Sequence, residues 1–262
     1  MYKLLLLLLP ILLFSKFQVT TTLPFEAYII KKIGQNHIRI KTISNNFSNK
    51  VLELTPTEIS YLANTKAYFN FSLEIEKKYE KLFLKTNNNL NVVNMSKDVK
   101  KIKYKGKDNL YVWLDPLLLR DVATNIYKAL SKIDSFNKKK YEENYKKFLN
   151  DLDKSFLETK KKLAKSEIYN IFVFDERFDY FAKRFKINAY KKKKRILSAS
   201  EIKPLLKEVN INEIKAIFTQ ERENISFAKS LSGNAHIPIK TYNVYEEILF
   251  FNLSKITQEF SK

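Results

Sequence analysis

The chain has 262 residues, with 48 Lys or Arg against 28 Asp or Glu, a formal net charge of +20, no cysteine and 2 histidines. That length buries a substantial core in one or two domains. The composition excludes disulfides, thiolate metal ligands, a cysteine nucleophile and a lipid-carrying cysteine near the N-terminus, and it argues against a multi-histidine metal site.

The N-terminus, "MYKLLLLLLPILLF", sets Lys3 ahead of an apolar run from Leu4 to Phe14. The run is shorter than the ~20 residues a membrane-spanning helix needs and matches a signal peptide. Residues 1–17 are therefore expected to direct export, either as a cleaved signal or as a retained N-terminal anchor. Next, Gln18 to Thr22 is β-rich. Pro24 opens a short helix through Ile29, Ile30 and Ile33 that Gly34 is expected to close. His37 to Ser44 alternates like a strand. At "TPTEIS", Thr55 stands three residues before Glu58 with Pro56 between them, a capping box. Strands are predicted at Ala67–Ser72 and Asn91–Ser96, with a helix from Glu74 to Leu84 between them. In "NLYVWLDPLLLR" a short apolar strand through Val112 and Leu114 should stop at Asp115, with Pro116 in the first turn of a helix from Leu117 to about Lys132.

From Ser135 to Lys165 there is neither Gly nor Pro. Tyr141, Tyr145, Phe148, Leu152, Phe156 and Leu163 recur at helical spacing, which predicts one amphipathic helix of about 30 residues, some 45 Å long. A second alternation follows. Strands are expected in "IYNIFVF", "INAY", "IKAIFTQ" and "IPIKTYN". Helices are expected in "RFDYFAKRF", "SASEIKPLLKEVN", "ENISFAKSLSG" (closed by Gly233) and Val244 to Phe260. Alternating strands and helices mean parallel sheets. The fold class is α/β: two lobes, each a small parallel β-sheet flanked by helices, joined by one long rigid α-helix. The lobes are assigned to 18–134 and 167–262 and the linking helix to 135–166. No fixed-period repeat is visible. The aromatic set Phe172, Phe174, Phe178, Tyr180 and Phe181 reads as core of the second lobe.

The lysines are mostly interleaved with acids along helical faces, as in "NKKKYEENYKK". The densest run, "KKKKR" from Lys191 to Arg195, reads as a solvated loop. Nucleic acid is not an expected partner; attraction to an anionic membrane surface is. His37 and His236 both precede strands and read as surface or turn residues.

Several segments together resemble the solute-binding proteins of ABC transporters that take up zinc, manganese or iron. "SNKVLELTPTE" (Ser48 to Glu58) is similar to that family's "DPHxYEPTPSD", "LYVWLDP" to "PHxWLDP", and "FDERFDYFA" (Phe174 to Ala182) to "FHDAFxYFA". "KAIFTQ" and "IPIKTYN" resemble the strands before its "EPQ" and "LDP". The resemblance runs from about Gln18 to the C-terminus. It implies two lobes on a rigid helix, a location outside the cytoplasmic membrane (periplasmic or on its outer face), a membrane permease as partner, a monomer, and a divalent metal such as zinc or manganese as transported solute rather than a cofactor.

Carried over residue by residue, the four metal-ligand positions fall on Lys50, Tyr111, Asp175 and Asn243. Only Asp175 is a strong metal ligand; a phenol, an amide and an ammonium have replaced the others. The site is thus expected to be degenerate, with a Lys50–Asp175 ion pair as one possible substitute for the metal. Glu176 and Glu221, close by, read as loop or helix-start carboxylates. A pocket with Lys50, Tyr111 and Asn243 also suits a small anionic or polar solute. Two functions stay open: the solute-binding component of an importer, and a non-transport, adhesin-like interaction protein on the same scaffold. An enzyme is not expected, because G-x-S-x-G, Walker and H-E-x-x-H motifs are missing and only 3 glycines are present.

Overall fold

β1 (Phe17–Thr21) is a run of β-compatible residues with its last three fully covered. That marks a central strand of a sheet covered on both faces. In the computed structural model, which describes residues 16–48, 50–192, 199–223 and 225–261, it pairs in parallel with β2 (Ile38–Thr42) and β3 (Thr65–Asn70). β3 pairs in turn with β4 (Asn91–Asn94), giving the order β2-β1-β3-β4. The crossovers are α1 (Pro24–Gly34), α2 (Pro56–Ala63) and α3 (Glu74–Thr86). The capping box opening α2 is formed: Thr55 Oγ1 accepts from Glu58 N at 3.3 Å, and Glu58 Oε2 accepts from Thr55 N at 2.9 Å. The N-terminal apolar segment expected to direct export lies outside the described residues, and among those described no helix is long and apolar enough to cross a membrane.

A hairpin, β5 (Lys103–Tyr104) with β6 (Lys107–Asp108), leads into α4 (Leu118–Ile133) and α5 (Lys138–Leu163). α5, of 26 residues, spans about 39 Å. It packs against α1 and α4 on one side of the molecule and against α9 (Leu249–Glu259) on the other. Tyr141, Phe148, Leu152 and Leu163 are the buried members of its predicted stripe. The second sheet runs β10-β9-β7-β8, from β7 (Asn170–Val173), β8 (Asn188–Lys191), β9 (Ala216–Gln220) and β10 (Ile239–Tyr242), again all parallel. Its helices are α6 (Asp179–Phe185), α7 (Ala199–Ile211) and α8 (Ser226–Ala235). Read from the other edge, its connectivity is that of the first sheet: the first strand lies between second and third, with the fourth outside the third. The repeat is one of topology, which no sequence period announced.

Local differences from the sequence reading have physical causes. Val112–Leu114 is a 3₁₀ turn and not a strand, its backbone bonded locally: Leu114 N donates to Tyr111 O at 3.4 Å and Asp115 N to Val112 O at 3.1 Å. Gly34 does not supply the left-handed residue that ends α1; Gln35 does, at φ 42°. Gly34 is needed because a Cβ there would meet Ile38 Cδ1 at 2.1 Å. α8 runs past Gly233 to Ala235 and ends on His236 at φ 55°. The last helix begins at Leu249 and not at Val244, which frees 244–248 as a loop. Lys191, first of the basic run, is no solvated charge: its Nζ donates to Tyr104 and to Asp179. Lys193 to Arg195 of that run lie outside the described residues. The aromatic set of the second lobe is core, with Phe172, Phe178, Tyr180 and Phe181 at most 2% exposed and Phe174 packed at the edge.

Beneath the first sheet's carboxyl end, two buried glutamates face each other. Glu26 Oε2 accepts from Thr22 N and Leu23 N at 2.9 and 2.8 Å; Glu76 Oε2 accepts from Phe71 N and Leu73 N at 2.9 and 2.7 Å. Each Oε1 is buried with no hydrogen-bond partner among the described residues, and burial of two neighbouring carboxyls favours the pair holding one shared proton. Burial, then the Glu76 charge, raises the Glu26 pKa well above its usual 4.5. The folded chain therefore keeps a proton that the unfolded chain has lost, so stability falls as pH rises from about 4.5 through the raised value. Glu26→Gln should flatten this decline in urea denaturation across pH 5 to 9; an unchanged slope would show that the pair carries no shared proton.

Candidate functional site

In open parallel sheets, ligands gather beyond the carboxyl ends of the strands. Both sheets point those ends at one cleft. The loop after β2 brings Asn45 to Ser48, the loop after β9 brings Gln220 to Glu223, and the loop after β10 brings Asn243 and Tyr245 to Glu247. With Arg177 they line a cavity of about 450 Å³, a size that suits a small solute.

Of the four carried-over positions, only Asn243 lines this cavity. Its Oδ1 is already engaged, accepting from Gln220 Nε2 at 3.1 Å and from Tyr245 N at 2.9 Å. Tyr111 reaches the cleft through Tyr245, the two hydroxyls standing 3.2 Å apart. Burial raises the pKa of both phenols, so each enters the cleft as a neutral O–H. Lys50 is exposed and makes no ion pair with any described residue. The expected Lys50–Asp175 pair is not formed. Asp175 is held by Arg177 instead: Oδ1 accepts from the Arg177 backbone N at 2.8 Å, and Oδ2 accepts from its guanidinium.

Arg177 is the residue the sequence reading missed. Its side chain is 11% exposed, and besides Asp175 it donates to Glu223 Oε1 at 2.6 Å. Burial works against the charged form, but hydrogen bonding to Asp175 leads the effects that outweigh it, and the pKa stands above the ordinary arginine value. The signal was present in "FDERFDYFA", where Arg177 occupies the alanine of the family's segment. Glu221 pairs with Lys255 of α9 at 2.6 Å, and the Glu176 carbonyl accepts from Asn109 Nδ2 at 2.6 Å. Among the described residues, no three His, Cys, Asp or Glu side chains are grouped to hold a metal ion. The donors present do not fit the ligand set that the resemblance implies.

The cleft is also bridged. Trp113 Nε1 donates to Val244 O at 2.7 Å, Tyr180 Oη to Asn109 O at 2.6 Å, and Arg222 to Asn46 Oδ1 at 2.9 Å. Phe47 lies flat on Tyr245, with ring centroids 4.1 Å apart. Arg184 donates to the buried Asp115 at 2.7 Å.

Residues 19–252 match the family described as zinc-uptake complex component A, periplasmic (ZnuA). The metal ABC transporter substrate-binding lipoprotein SloC of Streptococcus mutans is 29% identical over 143 residues, 52% of this chain and 47% of that protein. The manganese ABC transporter substrate-binding lipoprotein PsaA of Streptococcus pneumoniae is 26% identical over 181 residues, 60% of this chain and 57% of that one. The chain thus spans about half the length of the curated relatives it matches. A crystal structure of ZnuA superposes with a TM-score of 0.83 at 21% identity, over 94% of this chain and 98% of that one. A cadmium-bound periplasmic metal-binding protein from Candidatus Liberibacter asiaticus gives 0.79 at 19% identity, over 94% and 100%. The two-lobed α/β fold is shared.

The tyrosine and phenylalanine bridge makes a graded test. Tyr245→Phe keeps the stack on Phe47 and loses one hydroxyl contact, so it should cost about 1 kcal/mol. Tyr245→Ala removes the ring from between Phe47, Tyr111 and Trp113 and should cost about 3 kcal/mol or more. Urea denaturation of the two variants reads the difference; equal losses would mean that the stack contributes nothing.

Proposed function

Since the chain belongs to the periplasmic zinc-uptake component A family, we propose that it is the extracytoplasmic solute-binding component of an ABC importer whose usual metal ligands have been replaced. Residues 18–134 and 167–262 act as its two lobes, 135–166 as the helix that fixes their spacing, and a membrane permease as its partner. Family membership makes it a transport component and not an enzyme. The observation that carries the replaced-ligand reading is Asp175 bonded to Arg177: the one strong ligand that remains already holds a cation.

The chemistry of the other positions agrees. Neutral phenols, an amide oxygen with two donors on it and an exposed ammonium supply no strong third or fourth donor to zinc or manganese. A cavity edged by amides, hydroxyls and both signs of charge suits a small polar solute better than a bare ion. The adhesin-like reading has one support. The laminin-binding adhesin Lmb of Streptococcus agalactiae, seen as a mutant, shares the fold with a TM-score of 0.76 at 21% identity, over 94% of this chain and all of that one.

Metal analysis of protein purified without chelator, with thermal-shift titration by zinc, manganese and iron, tests the reading. The expected outcome is no bound equivalent and an unmoved melting temperature, since a ligand that binds only the native state must raise it. One equivalent bound at micromolar affinity would refute the loss of the site.

A further inference from the structure

We propose that the Arg177 guanidinium is a built-in cation in the transported metal's place, fixing the cleft's carboxylates without any bound ion. This rests on the reading above and says how the replacement works. Asp175 follows the end of β7 and Glu223 lies in the loop after β9, so the guanidinium ties two site-forming loops together. A charge with its side chain 11% exposed persists only when paired. Both carboxylates accept from the same guanidinium nitrogen, Nη2, which brings their oxygens to one point. Its charge also reaches the phenols of Tyr111, Tyr242 and Tyr245, on each of which it acts to lower the pKa. It therefore stands at the meeting point of the carried-over Tyr111 and Asp175 and the Tyr245 loop. Lys50, the other candidate counter-cation, is exposed and unpaired with Asp175.

Charge counting gives the consequence. One guanidinium faces two carboxylates, a balance that a divalent ion would meet in full. Removing the guanidinium leaves Asp175 and Glu223 close together and short of positive charge. Asp175 and Glu223 supply the strong oxygens of that space, and water would complete the shell of an ion held there. An all-oxygen set suits Mn²⁺ better than Zn²⁺, which favours imidazole and thiolate.

The test compares wild type with Arg177→Met, each stripped with chelator, dialysed, and titrated with manganese chloride and zinc chloride by calorimetry and thermal shift. Wild type should bind neither. Arg177→Met should bind one Mn²⁺ at an affinity at least about tenfold above the limit at which wild type shows none, a step of 1.4 kcal/mol, with a melting temperature that rises on metal addition. The triple variant with Asp175→Asn and Glu223→Gln should lose that binding. Should Arg177→Met fail to fold, Arg177→Gln, which keeps a donor toward Asp175 without the charge, should show the same gain. Metal-blind behaviour of every folded Arg177 variant would overturn the assignment and leave the replaced ligand set standing. Metal binding by wild type would overturn both.

Discussion

The arrangement of the cleft depends on one buried donor. Trp113 is 1% exposed, and a buried indole N–H must find an acceptor. It takes Val244 O, across from its own lobe and at the base of the loop that carries Asn243 and Tyr245. The ring is wedged among Phe25, Phe71 and Tyr111, with centroids 4.6, 4.8 and 5.1 Å away. An aromatic block belonging to the first lobe thereby sets the position of a backbone segment of the second. Asp115 secures the same turn from behind, accepting from Leu117 N at 2.9 Å while it pairs with Arg184 of α6.

It follows that the lobes are not separately cored. The main hydrophobic cluster is continuous from Val19 to Phe260, and among the described residues a separate core lies around Leu205 and Phe227 beside the second sheet. Swinging the lobes apart as rigid bodies would uncover the aromatic faces around Trp113, at roughly 25 cal/mol for each Å² exposed. The loop after β2 is less costly to move. Phe47 and Asn46 reach across the cleft from a loop whose outer residues are exposed, and Arg222 opposite them donates to the exposed Asn46 amide oxygen.

The frame was legible because its signals are local or periodic. Thr55 and Glu58 announce a cap by spacing alone, and the stripe from Tyr141 to Leu163 announces a spine by period. Alternation of strand and helix announces parallel sheets. What failed had tertiary causes. Val112 to Leu114 has the composition of a strand, but the segment pairs with no described strand and closes on itself, and Trp113 Nε1 donates to Val244 O far along the chain. Gly34 looks like a helix terminator, and its true constraint is the approach of Ile38. Lys191 reads as one charge in a basic run, whereas in the fold it meets Tyr104 and Asp179 and helps to close the hairpin onto α6. The hairpin itself is two residues per strand, too short for any period to mark.

The site was half legible for a different reason. The motif match carried four ligand positions onto the chain, but it drew attention to residues that stand in for known ligands and away from those that replace nothing of note. Arg177 stands where the matching segment carries alanine, a position with no role to lose. A long cation placed two residues from a carboxylate at a strand end will normally fold back on it or reach solvent. Here Glu223 approaches from the loop after β9 and gives the guanidinium a second partner, which makes the inward conformation the stable one. That partner is 46 residues away in sequence, so no local pattern could have supplied it. The loss of a histidine is visible in a sequence at once, whereas the cation that pairs with the remaining carboxylate becomes visible only when the loops are brought together.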